Sequence, residues 1–249
     1  MQYLKIKDAI NQQINTGILQ IGHKLPAERK LAESFNTTRI TLREALALLE
    51  SEGKIYREDR RGWFVSPPAL IYDPNYTTEF AAMAIAQDRK PHSVLLSAQL
   101  IHANQHIATL LNITTNDSVY RIERLRSLDS RPVVVVTNYI LPEFFPDLLK
   151  HDITHSLTVT YREHYQRIYT KTRFRISTTS LNGNTASALR ATAGSPAMFV
   201  ERLNYDQHDN LIDCDLEYWR HDAIRIESLA TLSSACLHKT TQKKNELTC

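Results

Sequence analysis

Cysteine is scarce in this chain. Cys214, Cys236 and Cys249 are the three present in 249 residues, too few for a disulfide framework and without the Cys-x-x-Cys spacing of structural zinc. Long apolar runs are missing as well: the longest, Phe80 to Ala86, falls far short of the ~18 residues that cross a bilayer. The opening residues, Met1-Gln2-Tyr3-Leu4-Lys5-Ile6-Lys7-Asp8, have no apolar centre of the kind a secretory signal needs. No Gly-x-Ser-x-Gly elbow for a hydrolase nucleophile occurs, and no internal repeat stands out. Gly17-x4-Gly22 followed by Lys24 imitates a phosphate-binding loop, but the lysine is one place late and no Ser/Thr follows it for magnesium. His102 and His106 have no third ligand at helical spacing and read as exposed side chains rather than a metal site. Secreted, membrane-spanning and structural-zinc classes fall away. A soluble cytoplasmic protein with no cofactor and no metal is expected.

What is present is ordinary globular material, 42% hydrophobic and 23% charged, long enough for one or two domains at about 150 residues each. The charge is unevenly placed. Residues 1–66 hold 11 Lys/Arg against 8 Asp/Glu, whereas residues 67–249 hold 19 of each. The whole net charge of +3 therefore lies in the first quarter of the chain, as suits a small module facing a polyanion and joined to a neutral body.

In that first quarter, Ile6, Ile10 and Ile14 mark one face of a helix over Tyr3 to Thr16, stopped by Gly17. Pro26 suits the first turn of a second helix carrying Leu31, Ala32 and Phe35 inward. Asn36-Thr37-Thr38 breaks it and offers Thr38 as the N-cap of a third helix, whose Leu42, Ala45, Leu46 and Leu49 form a core stripe. Gly53 ends that helix. Strand-like Lys54 to Arg57 and Gly62 to Val65 then flank the charged turn Glu58-Asp59-Arg60-Arg61. Three helices with a tight break before the third, followed by a basic hairpin, describe a winged helix-turn-helix. Such a third helix enters the major groove by its first turns, while arginines, hydroxyls and helix N-terminal amides hold phosphates. Thr38, Arg39, Thr41, Arg43, Arg60, Arg61 and Gly62 form the expected DNA-contacting set.

The stretch Leu25-Pro26-Ala27-Glu28-Arg29-Lys30-Leu31-Ala32, then Thr38-Arg39-Ile40-Thr41-Leu42-Arg43-Glu44-Ala45, then Arg61-Gly62-Trp63-Phe64-Val65 closely resembles the DNA-binding domain of GntR-type transcription regulators. The resemblance implies operator contacts from Arg29, Arg39, Arg43 and the wing Gly62. Ala27 departs from the serine often found there.

Ser66-Pro67-Pro68 opens a stiff extended linker, expected over 67–76. A second domain is expected over 77–227, with a disordered tail over 228–249. Strands are predicted over Ser93 to Ala103, Val119 to Leu128, Val133 to Leu141, Ile168 to Leu181, Ala197 to Tyr205 and Leu211 to Arg220. Helices are predicted over Gln105 to Leu111, Glu143 to Lys150, Ser156 to His164 and Thr185 to Ala193. The fold class is α+β: a winged helix-turn-helix followed by a largely antiparallel α+β domain. Arg124 and Arg126, two apart on a strand, point to one side and offer forked donors to an anion, or else form a surface ion-pair ladder. Asp213, Asp215 and Glu217 alternate down one face of the last long strand. They read either as carboxylates for a terminal ammonium or as the solvent face of an amphipathic strand.

This layout, with Arg124-Leu125-Arg126 before a hairpin, is similar to the HutC branch of the family, whose UTRA-type effector domain has a chorismate-lyase-like fold without lyase activity. Asp59-Arg60-Arg61-Gly62-Trp63-Phe64-Val65, Arg202-Leu203-Asn204-Tyr205-Asp206-Gln207-His208 and Glu217-Tyr218-Trp219-Arg220-His221-Asp222 resemble the regulators of 2-aminoethylphosphonate use. The resemblance implies anion contacts from Ser93, Ser156 and Thr158. It also sets Asp213 where amino-sugar regulators carry a ligand-facing glutamate, and Thr137 where many have another.

The reading is a homodimeric, non-enzymatic regulator that binds double-stranded operator DNA, with affinity controlled by a small anionic effector. A phosphonate leads, and an amino-sugar phosphate or urocanate-like acid is the alternative. An enzyme of the chorismate-lyase fold tethered to a DNA-binding head, and a purely structural dimerisation domain, are the rivals from other classes. The sequence holds no catalytic constellation for the enzyme, and the Arg-x-Arg and acidic-strand pairing argues against a purely structural domain.

Overall fold

In the computed structural model, residues 1–76, 79–154 and 156–229 are described. Most of the tail expected to be disordered lies outside them, with Cys236 and Cys249.

Three helices, α1 (Gln2–Asn15), α2 (Glu28–Ser34) and α3 (Arg39–Ser51), bury one apolar cluster. Ile6 and Ile10 of α1 meet Leu31 and Ala32 of α2 and the stripe Leu42, Ala45, Leu46 and Leu49 of α3. Thr38 caps α3, its hydroxyl accepting from the Thr41 amide at 3.2 Å. The second helix begins later than Pro26 suggests: Ala27 is its N-cap, with no side-chain oxygen to serve the first amides. The antiparallel hairpin β1 (Ile55–Glu58) and β2 (Gly62–Val65) closes the unit, and Trp63 and Val65 join its core.

The larger half is built on a six-stranded antiparallel sheet. Its strands are β4 (Pro91–His102), β5 (Ser118–Leu128), β6 (Arg131–Ile140), β7 (Tyr169–Ser180), β8 (Pro196–Asp206) and β9 (Leu211–Arg220), in the order β4-β5-β6-β9-β8-β7. Central β6 and β9 are buried along most of their length on both faces. Helices α5 (Gln105–Leu111) and α7 (Gly183–Ala188) pack on one face, and α6 (Leu157–Tyr165) with Phe145 on the other. The β5–β6 turn uses Asp129 and Ser130, both at positive φ, the backbone of a two-residue hairpin turn. Pro132 is tolerated within β6 because the register shifts beside it.

Several elements differ from the sequence expectations. Glu143 to Lys150 is not a helix; only a short 3-10 turn forms at Leu148–Lys150. Pro146 has no amide to donate, and Asp147 sits at φ +60. The helix expected over Thr185 to Ala193 is Gly183–Ala188, ending before Arg190 at φ +52. Within the segment expected as a linker, β3 (Leu70–Tyr72) pairs in parallel with β10 (Ile224–Ile226). Helix α4 (Phe80–Ile85), not foreseen, packs Phe80 and Ala84 beneath Trp219 and Tyr72. Among the described residues, no helix is long and apolar enough to cross a membrane.

The fully buried Leu46 carries the α3 stripe. Leu46→Ala should cost the N-terminal unit about 2–5 kcal/mol, read as a shifted urea midpoint. A loss well under 1 kcal/mol would contradict the packing described.

Candidate functional site

Side chains of α2, α3 and the hairpin converge on one exposed surface. Glu28 is its organiser: it accepts from Trp63 Nε1 at 3.1 Å and from Arg43 Nε at 2.8 Å, tying β2 and α3 to the start of α2. Burial alone would raise the Glu28 carboxyl, but the hydrogen bonds from Trp63 and Arg43 outweigh it and hold the group below its usual value. Arg43 thus keeps a fixed root while staying largely exposed. Arg39 is exposed at the first position of α3 beside the Thr38–Thr41 hydroxyl pair, 3.1 Å apart. Arg29 lies at the start of α2, 3.1 Å from Glu33. Arg60 occupies the hairpin tip at φ +57 with its side chain 94% exposed. Arg61 pairs with buried Glu58, and Gly62 turns at φ +98 against Lys24.

The second site is a cavity of about 670 Å³ on the α6 side of the sheet. Its floor is set by register. Asn138, Asp215 and Arg202 stand abreast on β6, β9 and β8. Arg124 stands in line with Glu217, and Arg126 with Trp219, each across one β6 residue. Ser93 of β4 is the partner of Arg126. Ser156, the N-cap of α6, and Thr158 in its first turn contribute the opposite wall.

Ser93, Arg124, Arg126, Ser156, Thr158, Asp215 and Glu217 all line this cavity; Asp213 does not. The acidic alternation is not a solvent face, since Asp213, Asp215 and Glu217 are all buried. Each carboxylate is already engaged. Glu217 accepts from Trp219 Nε1 at 2.7 Å and lies 3.5 Å from Arg202 Nη1. Asp215 accepts from Asn138 and, at 3.1 Å, from Asn204. Asp213 accepts from Tyr169 and, at 2.6 Å, from Asn204. Thr137 stands on β6 opposite Glu123 and Leu216, outside the cavity lining.

The arginines divide by partner. Burial opposes charge on Arg202, but Tyr72, Asp215 and Glu217 raise its pKa overall. Burial lowers Arg124, which donates to Asn138 Oδ1 at 2.9 Å. Burial, reinforced by neighbouring Arg124, pushes Arg126 down to about 10. Among the described residues neither Arg124 nor Arg126 forms an ion pair; Arg126 rests 5.1 Å from the Phe80 ring centre. Two adjacent guanidiniums without an ion-pair partner among the described residues, beside a helix N-terminus, make a local environment suited to an anion. Arg202, Tyr169, Asn138, Trp219 and Tyr72 were not among the expected site residues. The alternation of Arg202 with Asn204 was a readable signal; the place of Tyr72 was not, because it depends on β3 pairing with β10.

Burial, and then the carboxylate of Asp215, push Asp213 up to about 7. A carboxyl raised in the folded state adds stability in full below its unfolded pKa and loses it as pH rises through the folded value. The melting temperature of the wild type relative to Asp213→Asn should therefore fall between pH 5 and 7 and level off above that range. A difference independent of pH would contradict this titration.

Residues 2–65 match the model of the bacterial regulatory proteins of the gntR family, and residues 86–225 match the UTRA domain. The uncharacterized HTH-type transcriptional regulator YihL of Escherichia coli K12 is 32% identical over 219 residues, spanning 88% of this chain and 93% of YihL. The HTH-type transcriptional repressor NagR of Bacillus subtilis is 28% identical, spanning 88% of this chain and 90% of NagR. The crystal structure of PhnF from Mycobacterium smegmatis shares the fold, with a TM-score of 0.64 at 24% identity, covering 92% of this chain and all of PhnF. The chain belongs to the GntR family of DNA-binding transcription regulators, a non-enzymatic family, and carries a UTRA ligand-binding domain behind its helix-turn-helix head.

Proposed function

We propose that the regulator is a homodimer that binds a two-fold operator through α3 and the hairpin, and that a small anion in the UTRA cavity lowers its operator affinity. The observation that carries the anionic reading is the Arg124–Arg126 pair on the cavity floor, without ion-pair partners among the described residues while Asp213, Asp215 and Glu217 are held by Arg202, Trp219, Tyr169 and the asparagines. A phosphonate such as 2-aminoethylphosphonate suits forked donors and a helix N-terminus together. The sequence resemblance to phosphonate-use regulators and the fold shared with PhnF support that choice. An amino-sugar phosphate is the second reading, favoured by a cavity of about 670 Å³, within the ~300–1,000 Å³ of pockets that enclose drug-sized ligands. Dimerisation through the UTRA domain is supported by apolar side chains left exposed on the edge strands, Val94, Leu96 and Leu100 on β4 and Ile176 on β7. Two copies of one recognition helix then require two-fold symmetry in the site they read. Arg29, Thr38, Arg39, Thr41, Arg43, Arg60, Arg61 and Gly62 form the DNA-facing set in this reading, and a cytoplasmic location accords with it.

Calorimetric titration of the full chain with 2-aminoethylphosphonate and with glucosamine 6-phosphate tests the effector. Saturable heat with the first alone is the expected result; heat with the second alone moves the assignment to an amino-sugar phosphate. Arg124→Ala should abolish the effector's roughly 5–150-fold effect on operator affinity and leave binding without effector unchanged. A variant that still responds fully would remove the arginine pair from the effector site. Arg39→Ala or Arg43→Ala should each weaken operator binding by about 1–3 kcal/mol in a gel-shift titration at fixed salt.

A further inference from the structure

Directly beyond the cavity, the hairpin of the head meets the end of the central strands around one buried carboxylate. Asp222 accepts from Arg131 and, at 3.1 Å, from Ser66, the residue that leaves the head. Arg220 Nε lies 3.6 Å from the other Asp222 oxygen. The two guanidiniums then stack on a head residue: Arg131 lies 3.5 Å and Arg220 5.2 Å from the Tyr56 ring centre. Arg220 also donates at 3.0 Å to the Arg57 carbonyl in β1, and the Asp59 amide donates at 2.9 Å to the Arg190 carbonyl. His221 Nε2 is 2.7 Å from the Glu50 carbonyl in α3. At the turn after α3, Gly53 sits at φ +69, and a Cβ there would stand 3.6 Å from that of Asp222.

The cluster is unevenly balanced. Asp222 is the single carboxylate that both guanidiniums reach, and the Nε atoms of Arg131 and Arg220 have no hydrogen-bond partner among the described residues. Burial would raise the Asp222 carboxyl, but Arg131 and Arg220 more than offset it and hold it below its ordinary value. A buried ion cluster with orphaned donors, and with one Asp222 oxygen also lacking a hydrogen bond among the described residues, is specific in geometry yet modest in net stability. The cavity adjoins it along the chain on both sides. Trp219 lines the cavity and is followed by Arg220; Tyr72 lines it from β3, on the segment that begins at Ser66.

We propose that the Asp222–Arg131–Arg220–Tyr56–Ser66 cluster is a breakable latch that holds the wing of the head on the UTRA domain and so fixes the placement of the head. Its opening frees the head while both units stay folded. A head held in place meets its half-site without further ordering, so opening the latch weakens operator binding. That operator arm rests on the two-headed reading given above; the latch itself does not.

The test is hydrogen exchange of the full chain, comparing wild type with Asp222→Asn and Ser66→Ala. Exchange in the segment 55–65 should quicken by about tenfold or more in Asp222→Asn, while the segment 133–140 stays protected. Unchanged exchange in 55–65 in both variants would overturn the latch. Should Asp222→Asn loosen both segments, Ser66→Ala decides, because it removes a single hydrogen bond at the interface: a rise confined to 55–65 supports the latch and no rise overturns it. Operator affinity without effector should fall in Asp222→Asn by a factor in the roughly 5–150-fold range of allosteric couplings. Selective exchange with unchanged operator affinity would leave the latch standing and overturn its role in DNA binding.

Discussion

Asp215 takes hydrogen bonds from Asn138 and Asn204 and lies 3.8 Å from Arg202 Nε, so one carboxylate joins β6, β8 and β9 on the face that carries the cavity. A charge in the middle of a sheet is stable only when its lone pairs are filled and an opposite charge stands close. Meeting that requirement uses up the acidic side chains of β9. Glu217 is spent on Trp219 and Arg202, and Asp213 on Tyr169 and Asn204. What remains on the cavity floor is positive. The anionic effector proposed above is favoured less by the arginines themselves than by the prior commitment of the β9 carboxylates around them.

The head obeys a similar logic at smaller scale. Glu28 receives Trp63 from the hairpin and Arg43 from α3, so the recognition helix and the wing are set against each other by one acidic side chain. Because that carboxylate sits at the root of the arginine, the guanidinium is oriented but not hidden. Thr38 does double service, capping α3 and presenting its hydroxyl beside that of Thr41. Stability of the helix start and chemistry of the proposed DNA-facing surface therefore draw on the same atoms.

The connection between the halves is shorter and more structured than a proline-rich tether suggests. After Pro67-Pro68 the chain enters the parallel β3–β10 pair and places Tyr72 on the cavity wall. Any shift of that wall would therefore bear directly on the segment on which the head hangs. A long flexible linker would dissipate such a shift, whereas a strand paired along its length passes it on.

Much of the local structure was legible in the residues. The α3 stripe and the Thr38 cap follow from periodicity and a hydroxyl at the right place. These features rest on contacts within a few residues, so the sequence by itself determined the winged head, the alternation of long strands and the α+β class. The alternation of Asp213, Asp215 and Glu217 was equally plain, but which side of the sheet it faced was not. That depended on β9 lying between β6 and β8, with α6 covering the polar face. The helix expected over Glu143 to Lys150 failed for the opposite reason: its apolar residues are spaced for packing under the sheet, and Pro146 and Asp147 redirect the backbone. Arg202, Tyr72 and the Asp222 cluster could be placed only by the tertiary structure. Their partners come from strands distant in sequence, and strand order and register are settled by burial across the whole sheet rather than by any local preference.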